Sequence, residues 1–225
     1  NGGGAPPAPL LTKKEGLNRF VWDMEYPIMP SIPGVYMEAG FGGHSVSPGI
    51  YTFKLSVEGQ TVSTTGTIKE LPTYETKPGQ YEEYDAFMTV AEQELTKMHN
   101  MINQLHAVEE NLKEMLKDVS NASVKKEGEK LLADMKAWDE DMVQRKSQAY
   151  DDVENFPNKF SAEYIFMINQ TSSTIPRLNK ASKDRKVELD AQWAGLKARG
   201  NQFINTAIPA YNKVLWEAGI GALRL

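Results

Sequence analysis

The chain has 225 residues, with 25 Lys and Arg against 30 Asp and Glu (net charge −5), and it contains no cysteine. Disulfides, thiolate nucleophiles and cysteine-based zinc sites are therefore excluded. The acidic balance argues against a nucleic-acid partner, and no apolar run approaches the roughly 18 residues needed to span a bilayer.

The first 16 residues are rich in Gly and Pro, and Asn1 to Pro9 reads as the interior of a linker belonging to a longer polypeptide. From residue 17 to about 72 the pattern is that of β structure. Leu17 to Met24 alternates, placing Phe20 and Trp22 on one face. Val35 to Met37 is a weaker strand signal. The clearest hairpin runs from Gly49 to Val57, turns at Glu58-Gly59 and returns from Gln60 to Ile68. Its alternation assigns Tyr51, Phe53, Leu55 and Val57 to a core face and Ile50, Thr52, Lys54 and Ser56 to the opposite face. Several short strands in about 55 residues predict a small Ig-like β-sandwich.

From residue 77 onward the period changes to that of helices. Ala91, Leu95, Met98, Ile102, Leu105, Leu112 and Leu116 follow alternating steps of three and four, with an acidic residue in the slot near 109. This predicts a first helix of about 38 residues, roughly 57 Å long. Ser120 or Asn121 is placed to cap a second helix. That helix carries the frame through Val124, Leu131, Met135, Trp138, Met142, Ala149 and Phe156, and Pro157 ends or kinks it. A short helix near 162–170 precedes a connection around Pro176. The last helix keeps the frame without a break through Leu189, Trp193, Leu196, Gly200, Phe203, Ala207, Ala210 and Val214, with a kink expected at Pro209. The expected fold class is therefore α+β: a linker over 1–16, an Ig-like sandwich over 17–72, and over 77–225 an antiparallel bundle of three long helices and one short one.

Two stretches carry a resemblance. Gly16-Leu17-Asn18-Arg19-Phe20-Val21-Trp22-Asp23, followed by Pro48-Gly49-Ile50-Tyr51-Thr52-Phe53-Lys54-Leu55, resembles the Ig-like module of flagellar hook-capping proteins and of many secreted bacterial proteins. With Lys136 to Lys146, Tyr150 to Phe160 and Leu215 to Gly221, the whole chain resembles the C-terminal region of secreted Bacteroidota proteins. Those proteins begin with a sortilin-type or Asp-box β-propeller and are often labelled glycosyl hydrolase or sialidase-like. The resemblance implies a secreted, periplasmic or cell-envelope location. It also implies that any hydrolase chemistry resides in the propeller, and this chain has neither an Asp-box nor a blade repeat.

The most conspicuous charged cluster is Asp139, Glu140 and Asp141 with Asp151, Asp152 and Glu154. Two carboxylates about 5–9.5 Å apart across a cleft would suit glycoside hydrolysis. The same residues, interleaved with Lys136, Arg145 and Lys146, also describe a solvated helix face. His99 and His106 lie about 10.5 Å apart along a helix and cannot chelate one metal together. His44 stands alone in a Gly-rich loop. Neither a catalytic residue, a metal site nor a cofactor is expected. The functional expectation is a non-catalytic accessory module that docks the propeller or another protein. The alternatives are a glycan hydrolase using bundle carboxylates and a self-associating helical module.

Overall fold

In a computed structural model the chain is described over residues 5–7, 10–73 and 75–224, so Asn1–Gly4, Ala8 and Pro9 of the expected linker lie outside the described residues. Two strands, β1 (Gly49–Val57) and β2 (Gln60–Ile68), precede the helices α1 (Gln80–Asp118), α2 (Ala122–Met142), α3 (Asp152–Asn155), α4 (Phe160–Ser172) and α5 (Lys180–Gln202). A π turn, Phe203–Ala207, then joins α5 to α6 (Ile208–Glu217).

The Ig-like sandwich does not form. β1 and β2 make a single antiparallel ribbon, and among the described residues it has no second sheet to pack on. The Leu17–Met24 and Val35–Met37 segments form no strand; one isolated bridge joins Glu25 to Ser45. The ribbon itself follows the expected register, pairing Val57 with Gln60. Glu58 (φ 50°) and Gly59 (φ 79°) both turn through the left-handed region, as a two-residue hairpin loop requires.

The helices form three rods. Rod one is α1. Rod three is α5, the π turn and α6, and it runs parallel to α1: Lys183 pairs with Glu83, Lys197 with Glu94, and Gly200 sits against Met101. Rod two runs the other way and is broken. Its first half, α2, lies along the C-terminal part of α1, with Gly128 beside Leu116. Its second half, α4, lies along the N-terminal part, with the Tyr84 hydroxyl on the Ser172 carbonyl at 3.3 Å. All seven of the α1 frame residues named above are buried, as are Val124, Leu131, Met135, Trp138 and Met142 of α2. Met88, Met98, Met135 and Met142 fill this core, whereas Trp216 is exposed.

Two predicted details change. The second helix stops at Met142 rather than near Phe156, because tertiary partners replace its ladder. Arg145 folds back onto Asp139 with two hydrogen bonds of 2.5 and 2.6 Å. Ser147 exchanges bonds with Tyr36, whose backbone N–H donates to the Ser147 carbonyl at 2.8 Å and whose carbonyl accepts from the Ser147 hydroxyl at 3.1 Å. In rod three the frame does break: beyond the π turn the buried residues are Ile208, Tyr211 and Leu215, each one position after the Ala207, Ala210 and Val214 of an unbroken repeat. The π turn inserts the extra residue one turn ahead of Pro209, which then starts α6 where its missing N–H costs little.

Residues 24–47 form a strap over the bundle. Met29, Ile32, Val35, Met37, Phe41 and Val46 are buried, and most of them join the helical core. The strap is pinned at two points along its course. Its Gly40 exchanges two hydrogen bonds with the Asn169 side chain, at 2.6 and 2.9 Å, and the Asn103 amide donates to the Ser31 carbonyl at 2.9 Å.

Close approach of the rods depends on Gly128. A Cβ there would lie 2.3 Å from the Tyr211 hydroxyl and 2.6 Å from Leu116 Cδ2. That hydroxyl also donates to the Val124 carbonyl at 3.1 Å. Gly128→Ala gains helix propensity of about 1 kcal/mol but forces this contact apart, at a cost of about 1–3 kcal/mol. A net fall in the thermal unfolding midpoint is expected, measurable by circular dichroism.

Candidate functional site

The acidic residues expected to form a surface cluster take separate roles. Asp139 is buried and held by Arg145. Asp141 reaches across to Arg199 of α5 at 2.6 Å. Asp152 accepts the backbone N–H groups of Gln148 and Ala149 at 2.8 and 2.9 Å, closing the loop before α3. Glu140 and Asp151 are exposed. Asp139, Asp141 and Asp152 thus have separate partners, and Asp139 is buried rather than on a solvated face.

His44, which looked isolated in sequence, is the most heavily engaged titratable group in the strap. Its side chain is fully buried. Nδ1 lies 2.9 Å from a Glu92 oxygen and Nε2 lies 3.0 Å from Asp85. Its backbone N–H donates to the other Glu92 oxygen at 2.7 Å. Tyr26 stacks on the ring at 4.2 Å and donates its hydroxyl to Asp85 at 3.1 Å, while Tyr84 closes the other side edge-on at 5.8 Å. Burial pulls the imidazole down, but bonds to Glu92 and Asp85 outweigh it and raise His44 above its ordinary value. Burial and Asp85 push Tyr26 up to about 12. The arrangement is a carboxylate clamp with the imidazolium at its centre, and it ties the strap to α1.

His99 is set the other way. Burial holds it below its ordinary value, and its Nδ1–H donates to the Pro30 carbonyl at 2.6 Å, which fixes a neutral tautomer. Glu94 gathers Lys97, Lys197 and the Trp193 indole N–H; against the upward pull of burial these hold its carboxyl at about 2. Glu109 sits near Asp139 on α2, and burial together with that neighbouring carboxylate raises it. His106, Glu109 and Glu110 bring one imidazole and two carboxylates together on one turn of α1.

The ribbon supplies a different kind of surface. The face expected to be core is largely in solvent: Phe53, Leu55 and Val57 are 44%, 50% and 57% exposed. Trp22 lies on the same face, 5.4 Å from Tyr51 and 5.6 Å from Phe53, ring to ring. Leu11, Phe20, Leu55 and Val57 line a groove of about 710 Å³ beside it.

No family model matches the sequence, and the curated proteins and solved structures compared with it contain no match. Among the described residues no helix is long and apolar enough to cross a membrane.

Two signals were open to sequence reasoning here. An acidic residue in the core slot at 109 marks a helix position that is polar where packing wants an apolar group. Glu92 and Asp85, seven apart on α1, share a face and so can clamp one ring between them.

Proposed function

We propose that this chain is a non-catalytic interaction module of a larger secreted protein, and that it docks a β-rich partner, a propeller of the same polypeptide, through the apolar face of its ribbon. The observation that carries the reading is the solvent exposure of Phe53, Leu55 and Val57 on nine-residue strands. A two-stranded ribbon is marginal alone, and large apolar faces with unpaired edges attract further β structure or a partner surface. The bundle has a full core of its own and acts as the rigid base from which the ribbon projects. The non-catalytic part of the reading is supported by the acidic residues, since Asp139 and Asp152 are each committed to structural partners. The propeller is suggested by the sequence resemblance.

Amide hydrogen exchange tests it. Residues 49–68 should exchange quickly in the 225-residue chain and at least tenfold more slowly when the chain is attached to its propeller. Leu55→Glu should restore fast exchange without changing protection in α1. Equal exchange with and without the propeller sinks the reading. Protection that instead rises with the concentration of the 225-residue chain, together with a doubled mass in light scattering, would favour self-association.

A further inference from the structure

We propose that His106, Glu109 and Glu110 form a binding site for one divalent transition-metal ion of the zinc type, on the face of α1 that meets α2. The three residues occupy positions i, i+3 and i+4, which project to one side of a helix. Their candidate ligand atoms, one from each residue, all lie within 4.8 Å of one another.

The site is built from more than proximity. The Glu109 side chain is only 7% exposed, yet among the described residues its ionic contact is with His106 Nδ1 at 3.7 Å, too long for a hydrogen bond. His106 Nδ1 is itself fully buried and, among the described residues, has no hydrogen-bond partner. A buried carboxylate and a buried ring nitrogen thus face each other across a gap that neither closes. Each costs free energy unless something polar or charged lies between them.

The neighbouring groups supply only a small part of that charge. Asp139 of α2 is the other carboxylate near Glu109. Arg145 is the nearby cation; it attracts Glu109 only weakly, and its Nε and one terminal nitrogen donate to Asp139. Glu110 bonds Lys113 at 3.3 Å, but both side chains are 47% exposed, so this pair is weak and yields readily.

The donor set selects the ion. A neutral imidazole with two carboxylates suits zinc and its neighbours in the transition series, whereas calcium and magnesium prefer all-oxygen shells. Ligand bonds of about 2.0–2.2 Å place tetrahedral donors roughly 3.3–3.5 Å apart, so the 3.7 Å separation of Nδ1 and the Glu109 oxygen needs an adjustment of only tenths of an ångström. Three protein ligands leave a fourth position for water or an incoming carboxylate.

Isothermal titration of the chelator-stripped chain with zinc chloride should show one site, with no comparable heat from magnesium or calcium. Cobalt(II) should give the visible absorption of a tetrahedral site. His106→Gln and Glu109→Gln should each weaken zinc at least tenfold, with folding checked by circular dichroism. The exposed Glu110→Gln variant gives the same readout if the buried substitution unfolds the chain. No zinc heat, or zinc binding equal in His106→Gln and Glu110→Gln to that of the parent, would overturn the proposal.

Discussion

His44→Ala is expected to lower the unfolding free energy by about 3–5 kcal/mol, the range for breaking a buried ionic cluster by removing one member. The deletion leaves Glu92, whose side chain is 10% exposed, without its cationic partner, and strips Tyr26 of its stacking surface. The loss should be largest in the strap, so that protease cleavage within residues 24–47 precedes cleavage of α1. Chemical denaturation measures the first effect and timed proteolysis the second. A change below about 1 kcal/mol, the scale of a surface pair, would mean the clamp is solvated.

The same residue gives the fold a pH dependence with a defined sign. His44 is raised because bonds to Glu92 and Asp85 overcome the downward pull of burial. A histidine raised in the folded state adds stability that is complete below its unfolded value of 6.5 and disappears as pH climbs through the folded value. The thermal midpoint of the parent should therefore drop as the solution is taken above pH 6.5. The drop should be absent from the curve of the His44→Gln variant, which keeps polar contacts but cannot titrate.

Trp138→Ala should cost a similar amount, about 3–5 kcal/mol, by opening a cavity where the three rods meet. The Trp138 side chain is 1% exposed, its indole N–H donates to the Leu196 carbonyl at 2.8 Å, and its ring edge lies where a Cβ on Gly200 would be 3.1 Å away. Trp138→Phe retains most of the packing and loses that hydrogen bond, so about 1–2 kcal/mol is expected. Urea denaturation at constant m-value separates the two. If the variants proved equal, the hydrogen bond rather than the ring volume would dominate.

Much of the bundle was legible because its determinants are local and periodic. The core face of α1 from Ala91 to Leu116 follows from residue spacing, and the Asn121 cap follows from a side chain that accepts two backbone N–H groups nearby, from Ser123 and Val124. The hairpin turn follows from Glu58-Gly59. What failed depends on contacts distant in sequence. The β-sandwich was inferred from the alternation of Tyr51 to Val57, but alternation specifies which residues share a face, not whether a second sheet covers it. The strap has no period at all: Met29, Ile32, Val35 and Met37 are buried by where the chain crosses the bundle. The end of α2 was misplaced because Tyr36 competes for Ser147 across more than a hundred residues of chain. The candidate site was hidden for the same reason, since His44 acquires its role only when Asp85 and Glu92 arrive from α1.

The π turn gives rod three one residue more than its packing needs. An unbroken helix would bring positions 207, 210 and 214 to the core, and the extra residue delivers Ile208, Tyr211 and Leu215 to those places instead. The turn is a phase correction, as a slipped tooth is in a gear. Excising the exposed Asn205 would cancel the slip and the shift together, leaving the same side chains facing α2. The same excision in the middle of α2, which has no such slack, would rotate every later residue by about 100° and turn Trp138 away from rod three. A single lost codon is thus absorbed at one point along this chain and ruinous a few nanometres away.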